Sequence, residues 1–100
     1  MSDTELQRKN LTIFYLPDCP YCVKARRAVD ELKAEFPKYE AIQVNWLNER
    51  SVPDIAEQFD YYYVPTVASN SSILYEAQPG QTYNEIKAHL KNIFENELSS

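Results

Sequence analysis

Hydrophobic and polar positions along this chain fall into two periods, and each change of period marks an element. Leu11 to Leu16 reads LTIFYL, rich in β-branched and aromatic residues, and predicts a strand covered on both faces. Pro17 and Asp18 break it, and Pro20 falls where a helix accepts proline, at its first position. Cys22, Ala25, Val29, Leu32 and Phe36 then step by 3, 4, 3 and 4, which makes one apolar stripe on a helix. Arg26, Arg27, Asp30, Glu31 and Lys33 lie largely off that stripe, and Pro37 ends the helix.

Glu40 to Trp46 predicts a second strand. Ser51 with Asp54 resembles a capping box, opening a short helix through Val52, Ile55, Ala56 and Phe59. Val64–Ala68 and Ile73–Ala77 predict two more strands, with Asn70, Ser71 and Ser72 as the turn of a hairpin. Pro79 and Gly80 punctuate the chain. Thr82 with Glu85 is a capping box, and Ile86, Leu90, Ile93 and Phe94 give the last helix its buried side. The order β-α-β-α-β-β-α asks for a parallel crossover first and an antiparallel hairpin later. A four-stranded mixed sheet flanked by three helices, one on each face at least, satisfies both.

The 100 residues suit one domain, 1–100, with polar and loose ends at 1–9 and 97–100. A formal net charge of -5 repels phosphate backbones and anionic lipids, so neither nucleic acid nor membrane is an expected partner. The first residues lack a basic stretch followed by an apolar one, which points to the cytoplasm, and a monomer is expected. In a reducing compartment two cysteines three apart suggest redox catalysis or a metal site.

Cys19-Pro20-Tyr21-Cys22 sits between the first strand and the first helix. Cys19 at the helix N-cap would have unpaired backbone N–H groups and the positive end of the helix dipole beside its sulfur, and both favour thiolate. Thiolate is the nucleophile of disulfide exchange. Cys22, one turn on, can attack the mixed disulfide formed at Cys19 and release the reduced target. As a structural staple the pair would close too short a loop to add much stability. Structural zinc wants four N or S ligands, whereas the chain has two cysteines and one histidine, His89, near the far end.

The segment CPYCVKARRAVDEL resembles the start of the active-site helix of glutaredoxins, members of the thioredoxin superfamily. Val64-Pro65-Thr66 resembles the superfamily's cis-proline loop, and the order of elements matches over about residues 11–95. With only about ten residues before the first strand, the minimal glutaredoxin-like core is the expected form. The resemblance implies a cis Pro65 facing the cysteines, a Val64 backbone that pairs with substrate, and Thr66 and Gly80 lining the groove. Glutaredoxins usually carry a Lys where this chain has Leu16, and a basic or amide residue where it has Tyr61, Tyr62 and Tyr63. In place of a Gly-Gly pair and an Asp near the last helix, the chain has Pro79 to Asn84 with one Gly. Three glutathione contacts are thereby replaced, while the redox pair is intact.

Other residues carry two readings each. Tyr61–Tyr63 can pack in the core or offer an aromatic platform to substrate. Tyr21 should be exposed at an open helix end and shape partner choice. Asp18 either opposes the thiolate of its neighbour or is inert, and Lys24, Arg26 and Arg27 read as a solvated face. His89 reads as a flank residue of the last helix. The expectation is a dithiol oxidoreductase acting on protein or low-molecular-weight disulfides, with Cys19 attacking and Cys22 resolving. It needs no bound cofactor and draws electrons from glutathione or a reductase. The competing expectation is a binding module holding a partner protein or a subunit-bridging iron–sulfur cluster.

Overall fold

A computed structural model describes residues 9–69 and 72–99. Strands β1 (Lys9–Tyr15), β2 (Ile42–Asn48), β3 (Thr66–Ser69) and β4 (Ser72–Glu76) form one sheet in the order β2-β1-β3-β4. β1 runs parallel to β2 and antiparallel to β3, and β3 and β4 form the antiparallel hairpin. Helices α1 (Pro20–Glu35), α2 (Pro53–Ala56) and α3 (Tyr83–Ser99) complete the mixed fold that the pattern predicts.

The central strand explains the arrangement. Leu11 and Ile13 join one core cluster with Ala25, Ala28, Val29 and Leu32 of α1 and with Ile86, Leu90, Ile93 and Phe94 of α3. Phe14 points to the opposite face, where the rings of Phe59 and Tyr61 lie at 5.1 and 5.5 Å. Ile13 and Phe14 are both fully buried, so the middle of β1 is covered on both faces, while Asn10 at its start is exposed. Each such side chain contributes about 1.5–3 kcal/mol by leaving water.

Local signals set the helix starts. Thr82 and Glu85 form the capping box: the Thr82 N–H donates to Glu85 Oε1 at 2.8 Å and the Glu85 N–H to Thr82 Oγ1 at 3.2 Å. Glu31 ties α1 to α3, accepting from the Tyr83 hydroxyl, Arg27 Nε and Lys87 Nζ. Those donors, Tyr83 first, hold its carboxyl down at about 2.

Several boundaries differ from the sequence expectation. β2 starts at Ile42, because Pro37–Ala41 winds into a 3-10 turn that buries Tyr39 between Phe36 and Phe94. Ser51 caps nothing: the N-cap of α2 is Val52, one residue later, which puts Ser51 and Asp54 out of capping register. α2 itself is one turn long, and i→i+3 bonds from the N–H of Gln58 and of Phe59 carry the chain on to deliver Phe59 against Phe14. β3 starts at Thr66, since a proline lacks the N–H that a ladder needs. β4 ends at Glu76, although the Ala77 N–H still reaches the Pro65 carbonyl at 3.0 Å. α3 runs to Ser99 and Lys9 opens β1, so positions 9 and 97–99 are not loose. Residues 1–8, 70, 71 and 100, and with them the tip of the hairpin turn, lie outside the described residues. No helix among the described residues is long and apolar enough to cross a membrane.

Candidate active site

The turn from β1 into α1 builds one half of the site. The Cys19 N–H bonds to the Leu16 carbonyl at 3.2 Å, which closes the turn after β1. Cys19 is extended, at φ -91° and ψ 121°, and is the N-cap of α1, with Pro20 in the first turn. Its sulfur accepts the Cys22 N–H at 3.4 Å, where an N-cap oxygen would normally sit. The α1 N-terminus, with its unpaired donors and its positive dipole end, therefore faces that sulfur.

The other half comes from 45 residues away. β1 and β3 are antiparallel with Phe14 opposite Thr66, so the residues after β1 and those before β3 meet at one end of the sheet. The Val64–Pro65 peptide is cis, and the Val64 carbonyl lies 3.6 Å from Cys19 Sγ.

Cys22 is in a different environment, only 4 % exposed. Burial first pushes its thiol up to about 12; the hydrogen bond to Cys19 and the charges of Cys19 and Glu49 act the same way. A hydrogen bond from the Leu16 backbone works in the opposite sense. The carbonyl of the same peptide group, that of Tyr15, accepts the Glu49 N–H at 3.0 Å. One peptide thus connects the end of β2 to the buried sulfur. A cavity of about 480 Å³ beside α1 includes Cys22, Tyr15, Leu16, Val23 and Arg26 in its lining, but not Cys19. Arg26 lies over Trp46 there, 4.3 Å from the ring centre.

The remaining candidates divide. Tyr21 is half-buried, not exposed as expected, because its hydroxyl reaches across to accept the Gly80 N–H at 2.7 Å. Gly80 has φ +90°, a conformation that favours glycine. Thr66 does not line a groove with its side chain: it is fully buried and its hydroxyl donates to the Tyr63 carbonyl. The three tyrosines separate. Tyr61 stacks on Phe14 and donates to Glu49 Oε1 at 2.6 Å, while Tyr62 and Tyr63 stay exposed. Asp18 faces Arg50 at 3.9 Å. His89 stacks on Tyr75 with ring centres 4.5 Å apart, which ties α3 to β4. Sequence reasoning missed Glu76, whose Oε1 accepts both the Tyr62 and the Tyr63 N–H at 3.1 Å. It also missed Glu49. Both are ordinary strand-end carboxylates, and their spacing carries no signal.

Residues 11–71 match the family model described as Glutaredoxin. The chain belongs to the glutaredoxin family. This glutaredoxin-family chain is 28% identical over 74 residues to a thioredoxin of Methanocaldococcus jannaschii, covering 74% of this chain and 85% of that one. It is 30% identical over 73 residues to a probable thioredoxin of Methanothermobacter thermautotrophicus, covering 72% and 82%. In fold it is similar to the oxidised thioredoxin of Plasmodium falciparum, with a TM-score of 0.62, 16% identity and coverage of 95% and 88%. The first two thioredoxin domains of Saccharomyces cerevisiae Eps1p give 0.59 at 21% identity, covering 99% of this chain and 41% of that one. The two relatives are named as a thioredoxin and a probable thioredoxin, the two solved structures share the thioredoxin fold, and Cys19 and Cys22 lie together within the matched family region. Among the described residues no three His, Cys, Asp or Glu side chains cluster as a metal site.

Proposed function

We propose that this protein is a dithiol oxidoreductase in which Cys19 attacks a substrate disulfide and Cys22 completes the exchange. One observation carries the reading: the Cys19 sulfur caps α1, takes the Cys22 N–H, and lies 3.6 Å from the Val64 carbonyl beside Pro65. The Cys19 thiolate bonds to one substrate sulfur, and the other sulfur leaves and takes a proton. Cys22 then loses its proton and attacks Cys19, which breaks the mixed disulfide and frees the second thiol. Two protein thiols become one disulfide while one substrate disulfide becomes two thiols.

The two environments order these events. Cys22 is held protonated by burial and by its neighbour Cys19. Once the Cys19 sulfur is bonded to substrate, its charge and its hydrogen-bond acceptance fall away, and the Cys22 thiol ionises more readily. Val64 offers substrate a backbone carbonyl next to the reacting sulfur. Electrons return from an external donor. The thioredoxin names of the relatives favour a reductase. So do Leu16 in place of a lysine and a Gly80 N–H already bonded to Tyr21, both of which disfavour glutathione.

The test uses the reduced chain and a small disulfide, bis(2-hydroxyethyl) disulfide. Cys19→Ser is expected to lower the rate to background, while Cys22→Ser accumulates a mixed disulfide visible by intact mass. Iodoacetamide at about pH 8 should label Cys19 and spare Cys22, whose thiol is still protonated there. A Cys19→Ser protein that keeps the wild-type rate overturns the reading. Visible absorbance after anaerobic iron and sulfide loading would redirect it to the cluster-holding module.

A further inference from the structure

Tyr62 is 85% exposed and Tyr63 44%, next to each other and just before the Val64 carbonyl that faces Cys19. Full burial of such a ring is worth about 1.5–3 kcal/mol, so this pair leaves a considerable apolar contribution unused. Their backbone is nevertheless fixed. Glu76 Oε1 accepts both N–H groups at 3.1 Å, and the Tyr63 carbonyl accepts the Thr66 hydroxyl. Glu76 in turn sits in β4 directly opposite Thr66. One largely open ring, Tyr62, and one partly open ring, Tyr63, stand on a backbone held from both sides, so a partner would meet them with little left to order. Tyr62 is two residues from Val64, within about 7 Å along the chain. The exposed carboxylate of Asp60 adjoins the pair, and Asp18 beside the nucleophile faces Arg50 at 3.9 Å, in a chain of net charge -5.

We propose that Tyr62 and Tyr63 form a preset docking surface for an extended, neutral or basic stretch of a disulfide-containing polypeptide, one with an aromatic or aliphatic side chain two or three residues from the attacked cysteine. This rests on the exchange reaction proposed above and names its substrate class. The side chain seats on the two rings while the polypeptide backbone lies along Val64 and its sulfur meets Cys19. The redox step is the exchange already written, with the polypeptide disulfide as the group reduced.

The experiment is a single-turnover reaction of the reduced full chain with two disulfide-linked peptides of equal length. They differ only in Phe or Ser two residues from the cysteine, and bis(2-hydroxyethyl) disulfide serves as reference. The wild type is expected to reduce the Phe peptide about ten-fold faster than the Ser peptide. Tyr62→Ser with Tyr63→Ser should remove that preference, and Tyr62→Phe with Tyr63→Phe should keep it. Equal rates on both peptides for the wild type, or an undiminished preference in the double Ser variant, overturn the docking surface. A wild type that reduces neither peptide nor the small disulfide overturns the oxidoreductase reading instead.

Discussion

Two segments meet at the Cys19 sulfur, and they are built by opposite means. The turn from β1 into α1 is held by neighbours in sequence: Leu16 closes the turn, Cys19 caps the helix, Pro20 starts it and Cys22 donates back. The segment from Tyr61 to Thr66 is held from a distance, by Phe14 under Tyr61, Glu49 on the Tyr61 hydroxyl, and Glu76 on two N–H groups. The first takes its backbone turn from bonds spanning three residues. The second has its shape only because β1, β2 and β4 are already in place.

The largest expected blow to the distant scheme is Phe14→Ala. It removes the ring beneath both Phe59 and Tyr61 and should cost about 3–5 kcal/mol, read from denaturant unfolding. Next is Glu76→Leu. It should cost about 1–2 kcal/mol and speed hydrogen exchange at the Tyr62 and Tyr63 amides, with the Cys22 amide unchanged. If all three amides speed up together, the two segments are not independent. The smallest pair sharpens the local side. Thr82→Ala should lose about 1 kcal/mol of thermal stability with its cap, whereas Ser51→Ala should stay within about 0.5 kcal/mol.

The same contrast explains which features are legible in the sequence. The strand-to-helix junction, the α1 stripe and the Thr82–Glu85 cap follow rules that span a few residues, and they lie where expected. Ser51–Asp54 satisfies the same short rule and still fails, because Pro53 at the first helical position makes Val52 the N-cap. Tyr39 drew the start of β2 two residues along by burying itself between Phe36 and Phe94, a contact no local pattern announces. Tyr21 and Thr66 differ from the sequence expectation for a related reason. Their hydroxyls bond to Gly80 and Tyr63, and those bonds, not motif position, decide how much water each side chain meets. Glu76 was invisible because its partners lie 13 and 14 residues before it.

The β3–β4 ladder shifts register between Val67 and Ala68, so that Ala68 pairs with Ile73 while Val67 pairs with Tyr75, and Leu74 is passed over. Among the described residues β4 is also an outer strand of an open sheet, with ladder partners on one side of its backbone. A straight outer strand is a template on which another chain's strand can add, the first step toward aggregation. The register shift interrupts that template within a strand of five residues. An incoming strand meets that break in register before it can pair along the whole edge.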